Sequence, residues 1–197
     1  MMSNSYSFHP FRFLQQRKFL AGALLLVASS LSVGGGRQRF RLTGQDFIVQ
    51  SEAVFVGRLI RAESYESMDG LSLLTRYVFQ VEQRIKGQPG DLTEVDEYGG
   101  TVGDLTLTVS HTARYLRGQE YLIFTYQDAL ARQRTFAGPL GGLPVVSSQS
   151  GHRVVRIYPT HPLASLLGLE KNTGFPGLVA VSQELRGQVE RSSHEIR

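Results

Sequence analysis

Thr75-Arg76-Tyr77-Val78-Phe79-Gln80-Val81-Glu82-Gln83-Arg84-Ile85-Lys86 alternates apolar and polar side chains over a full strand length. Tyr77, Phe79, Val81 and Ile85 share one face; Arg76, Gln80, Glu82, Arg84 and Lys86 share the other, with Val78 out of pattern. Side chains along a strand point to opposite faces in turn, so this stretch predicts a half-buried strand with one wet side. Gly87-Gln88-Pro89-Gly90 closes it with turn residues. Upstream, residues 53–62 are apolar on both faces at first and then alternate, as a central strand does. Between the two, Glu63 to Leu73 contains Asp69-Gly70 and reads as a hairpin loop.

Strand-like residues recur at 91–97, 105–109, 119–127, 143–147 and 153–158. Gly99-Gly100-Thr101-Val102-Gly103 interrupts the series. Glycine's access to positive φ explains that segment as a reversal or bulge, in preference to ligand binding. After Pro159 the period lengthens. Residues 163–167 suggest one helical turn stopped at Gly168, and 177–190 place Leu178, Val181, Leu185 and Val189 on one stripe. Arg191 to Arg197 is expected to be a loose tail. The pattern predicts a mainly β chain: an OB-like antiparallel barrel of five to seven strands over 47–160, then a C-terminal packing segment over 161–190. Closure would remove the exposed strand edges that invite pairing with other chains.

At 197 residues the chain has one domain's worth of sequence, and its 41% hydrophobic content is too high for a disordered one. The absence of cysteine excludes disulfides, thiolate metal sites and thiol catalysis. Of the formal +4, residues 1–35 carry +3 from Arg12, Arg17 and Lys18, leaving 18 basic against 17 acidic side chains beyond them. A near-neutral body argues against a nucleic-acid partner.

Those first 35 residues have the parts of an export signal: Arg17-Lys18, the uncharged run Phe19 to Ala28, then small residues from Ser29 to Gly36. Cleavage is expected between Leu31 and Arg37, giving a secreted or periplasmic protein that meets the membrane only during export. The alternative is an uncleaved short anchor. Residues 36–46 read as a solvated lead-in.

Three segments carry a resemblance: residues 51–60 with Val54-Phe55-Val56-Gly57, residues 75–87 ending in Lys86-Gly87, and residues 117–124 with Gly118-Gln119-Glu120-Tyr121-Leu122. Together they resemble the netrin-like barrel of the tissue inhibitors of metalloproteinases, an OB-fold, and resemble even more closely a group of exported bacterial domains with the same skeleton. The resemblance covers roughly residues 47–160 and implies a binding or inhibitory module, with a secreted protease as one candidate partner. In those inhibitors an N-terminal cysteine chelates the protease zinc. This chain has no cysteine, so that mechanism does not carry over.

The sequence contains no Gly-x-Ser-x-Gly elbow, Gly-x-x-x-x-Gly-Lys loop or His-Glu-x-x-His pair. His152 and His161 flank a strand without a visible third ligand, and the acids Asp91, Glu94, Asp96, Glu97 and Asp104 read as a solvated edge. No cofactor or metal is expected. The expected activity is non-enzymatic contact with an extracytoplasmic protein through two loops: Tyr65 and Met68 in the first, and Arg114, Tyr115 and Arg117 in the second. The rivals are a secreted hydrolase without a recognised motif and an envelope structural protein held by its N-terminus.

Overall fold

The computed structural model describes residues 41–68, 70–169 and 174–195. The export signal, its cleavage site and residues 36–40 of the lead-in lie outside them. Strands β1 (Ala53–Glu66) and β2 (Leu73–Lys86) form a long antiparallel ribbon, the centre of the fold. Three register shifts interrupt the ribbon, skipping Ile85 and Glu82 on β2 and Ile60 on β1. Each such bulge bends and twists a strand pair. This is why Ile85, on the same sequence face as Phe79, packs in a different core cluster.

β3 (Leu92–Tyr98) pairs with β2, and β6 (Glu120–Gln127) pairs with β1 only from Ala53 to Arg58. β4 (Gly100–Val102) and β5 (Leu105–Leu107) make a separate small hairpin. The outer edge of β6 is shared: β8 (Gly142–Ser147) takes Glu120 to Ile123, and β7 (Gln133–Thr135) takes Thr125 to Gln127. β9 (Arg153–Val155) completes the order β3-β2-β1-β6-β8-β9. The molecule is therefore mainly β and antiparallel, as expected, with a C-terminal helix. The hydrogen-bonded path stays open: β3 and β9 are its ends.

Two cores flank the central strands. On one side Phe55, Leu59, Tyr77, Phe79, Tyr115, Tyr121 and Ile123 form an aromatic cluster with repeated edge-to-face contacts. Each such pair adds about 0.5–1.5 kcal/mol to the gain from burial. On the other side Val54, Val56, Leu122 and Phe124 pack beneath three helices, α1 (Gly44–Gln50), α2 (Pro162–Leu166) and α3 (Leu178–Glu195).

Helix α1 takes in the last three residues of the expected lead-in and runs into the segment assigned to the barrel. Thr43 and Asp46 form a reciprocal capping box, and Phe47 and Ile48 are buried. Lys86 receives the other end of that helix, donating from Nζ to the Ile48 and Ser51 carbonyls at 2.5 Å each. Gly87 follows at φ +69, where a Cβ would meet the Glu52 carbonyl. The Lys-Gly pair thus has a structural role. α3 also runs on to Glu195, through most of the segment expected to be loose, and Ser192 in that stretch accepts a hydrogen bond from Gln45 at 2.9 Å.

Candidate functional site

The β1–β2 ribbon outruns β6 by eight residues, Leu59 to Glu66, and ends in a tight loop. Ser67 N–H donates to the Ser72 carbonyl and Gly70 N–H to the Ser67 carbonyl, both at 2.8 Å. At this tip Met68 is fully exposed and Leu71 is 82% exposed. Residues 63–73 include Glu63, Glu66 and Asp69 and no basic side chain.

Tyr65 stands at the base of the loop, half-buried, within a polar cluster. Its hydroxyl donates to Asp96 Oδ2 at 2.7 Å, and the Arg76 guanidinium lies 5.0 Å above its ring. Arg76 grips Asp96 with two hydrogen bonds, at 2.9 and 3.0 Å, and reaches Glu94 at 3.1 Å. Burial pushes the Asp96 carboxyl up, but the bonds from Arg76 and Tyr65 outweigh it and hold it below the usual range. Of the acids read as a solvated edge, Asp91, Glu94 and Asp104 are exposed, but Asp96 is 4% exposed and belongs to a built network.

The second expected loop divides. Arg114 and Arg117 are exposed, but Tyr115 is a core residue. Its ring packs against Tyr77, Phe79 and Tyr121, and its hydroxyl bonds Thr135 Oγ1 at 2.7 Å. The reason is room: Gly142 leaves the space its ring fills, and a Cβ there would lie 2.6 Å from it. Tyr115 is thus unavailable as a surface contact. Nor do the two loops form one patch. Gly118 N–H donates to the Leu59 carbonyl, so the Arg117 turn sits beside Leu59. Tyr65 lies six residues further along β1, roughly 20 Å at the rise of an extended strand.

A second polar cluster, missed in the sequence, joins β3 to β7. Glu97 is buried; its Oε1 accepts the Thr135 N–H at 2.8 Å and its Oε2 pairs with Arg134 at 3.6 Å. Arg134 also pairs with Asp128 at 3.6 Å and lies 4.2 Å over the Tyr98 ring. Burial raises the Glu97 carboxyl above its ordinary value despite these bonds. Arg132, donating to the Tyr98 hydroxyl at 3.3 Å, and Arg134 beside it hold that phenol low. The one available signal was cross-strand: carboxylates on β3 with arginines in a later polar run.

Tyr98 also borders a cleft of about 170 Å³ under the β4–β5 hairpin, shared with Thr75, Thr101, Thr106, Thr108 and Arg114. A larger cavity of about 850 Å³ lies between the α1 entrance and the α2 entrance, lined by Arg41, Thr43 and His161 among others. His161 caps α2, Nδ1 accepting from Leu163 N–H at 3.1 Å while Nε2 faces the Leu140 carbonyl at 2.9 Å. His152 belongs to the β8–β9 turn, its N–H bonded to Ser148 Oγ at 3.2 Å. Among the described residues no group of three or more His, Asp or Glu side chains could hold a metal ion. No helix among them is long and apolar enough to cross a membrane. No family model matches the chain, and no curated protein and no solved structure matches it.

Proposed function

We propose that this chain is an exported, non-enzymatic protein-binding module of netrin-like, OB-like type that engages its partner with the tip of the β1–β2 hairpin. The single observation behind this reading is the tip itself: Met68 wholly in solvent on a ribbon whose base is stiffened by Tyr65, Arg76 and Asp96. A formed hairpin spares the backbone part of the ordering cost on docking, leaving the rotamers of the methionine side chain as the part to be lost. Methionine also adapts to an irregular pocket. Three acids and no base in residues 63–73 suit an extracytoplasmic partner with an apolar pocket rimmed by Lys or Arg.

The barrel reading draws support from the side chains that span β3 and β7. The path β3-β2-β1-β6-β7 has five strands, and the Glu97 carboxylate bonded to Thr135 N–H links its two ends. An OB barrel is five-stranded and partly open. Proteins of this kind contact their partners through loops beside such strands.

Photo-crosslinking in the producing cells tests the function. A crosslinking side chain in place of Met68 should give one discrete heavier species, and the same group in place of the exposed Gln149 should give none. Absence of a species at position 68, identical species at both positions, or substrate turnover by the purified chain would overturn the reading.

A further inference from the structure

The cleft under the β4–β5 hairpin carries a second binding assignment, independent of the hairpin tip. Its lining is hydroxyl-rich, with Thr75, Thr101, Thr106, Thr108 and Tyr98, and has one cation at its rim, Arg114. The other arginines at this end of the sheet are committed: Arg76 to Asp96 and Glu94, Arg132 to Asp128, and Arg134 to Glu97 and Asp128. Arg114 makes no hydrogen bond and no ion pair among the described residues. Its backbone is nevertheless anchored, because Ala113 and Tyr115 on either side of it are 2% and 6% exposed.

We propose that this cleft binds a single carboxylate group, with the Arg114 guanidinium as its charged anchor. A guanidinium presents parallel donors that match the two carboxylate oxygens, and Arg114 lines the cleft with no carboxylate partner among the described residues, its charge acting within the protein on the Tyr77 phenol. Thr75 is not a donor to the ligand, since its hydroxyl donates to the Gly99 carbonyl at 2.7 Å; the other threonines supply further donors. Thr101 and Thr106 share one hydrogen bond at 3.0 Å, which uses one of their two hydroxyl hydrogens and leaves the other. Thr108 makes no side-chain hydrogen bond among the described residues.

The size of the cleft narrows the ligand. About 170 Å³ has room for a carboxylate and a few carbon atoms, whereas pockets for drug-sized ligands begin near 300 Å³. The floor is set by backbone. Gly100 has φ +144, and a Cβ there would lie 2.6 Å from Thr75 Oγ1, so a side chain at this position would disturb the wall that the ligand meets. A carboxylate of this size comes either from a free small acid or from the C-terminus of a peptide.

Titration of the isotope-labelled full chain, followed by amide NMR, separates these sources. The probes are acetate, trialanine with a free C-terminus, trialanine amide and sulfate. The proposal expects saturable shifts centred on residues 99–108 and 114 with the carboxylates, and none with the amide or sulfate. Tighter binding of trialanine than of acetate identifies a peptide end, and equal binding identifies a free small acid. Arg114→Gln should weaken binding at least tenfold and Thr108→Val several-fold, with Arg117→Gln unchanged. No saturable shift with either carboxylate, equal binding of the amide or sulfate, or undiminished binding by both cleft variants would overturn it.

Discussion

Tyr115 lies between Arg114 and Leu116, both in solvent, yet its ring is enclosed by three other aromatic rings. In the sequence it reads with its arginine neighbours as an exposed group, because a buried–exposed–buried triplet is too short to register as alternation. Tyr115→Ala should therefore cost about 3–5 kcal/mol of stability. Tyr115→Phe, which removes only the hydroxyl bonded to Thr135, should cost about 0.5–1.5 kcal/mol. Chemical denaturation of the two variants checks both figures. Asp96 gives a pH-dependent counterpart. Its carboxyl titrates below its ordinary value in the folded chain, so its contribution is present above the unfolded pKa near 3.8 and fades as pH falls through the folded pKa. Asp96→Asn should lose about 1–3 kcal/mol at neutral pH, a loss that shrinks towards zero in strong acid. Unfolding midpoints across that range would reveal it. Glu97, one residue on, faces the opposite way, and burial drives its carboxyl in the opposite direction. Adjacent acids in one sequence run thus have opposite electrostatic environments, which the composition of the run could not reveal.

Among the elements, the long strands were the most legible, 75–86 by its alternation and 119–127 by its apolar, aromatic run. Residues 75–86 and 119–127 emerged as β2 and β6, and Phe79 and Tyr121 are buried at 0% and 3% while Gln80 is exposed. The α3 stripe was equally plain: Leu178, Val181 and Leu185 all lie in the helix-side core. The short elements were not. β7 is three residues long and α1 seven, below the length at which periodicity speaks, although the Thr43 to Asp46 capping box was a local signal for α1. α2 survives as a short helix through its ends, and one of them is titratable. Burial holds the His161 imidazole below its ordinary value of 6.5, and its Nδ1 must stay unprotonated to accept the Leu163 N–H. As pH falls below about 6.5, the unfolded chain takes up a proton that the folded chain resists, so stability falls with it. His161→Asn keeps a capping side chain without that titration. Its melting temperature should change less between pH 7 and pH 5 than the wild type's; an equal change would assign the pH effect elsewhere.

For the molecule as a whole, the fold class was legible, while the hydrogen-bonded path expected to form a barrel ends openly at β3 and β9. The strand pattern announces an antiparallel sheet with helical packing on one side. The side-chain contacts between β3 and β7, Glu97 with Thr135 and Arg134, and Arg134 over the Tyr98 ring, are encoded by no period or turn signal. Of the candidate contact residues, the structure leaves Met68, Arg114 and Arg117 in solvent, ties Tyr65 into a supporting network and encloses Tyr115. Surface exposure at a loop tip depends on where the ribbon ends, and β1 outrunning β6 is a tertiary fact. The functional account consequently rests on the hairpin tip. Truncating or charging a central apolar contact in a protein interface typically costs more than 1 kcal/mol, and about 1.4 kcal/mol is a tenfold change in affinity. The direct measurement is calorimetric titration of the partner crosslinked at position 68 against the wild-type chain and Met68→Glu. The account predicts at least tenfold weaker binding by Met68→Glu with an unchanged melting temperature, and equal affinity for the two chains would contradict it.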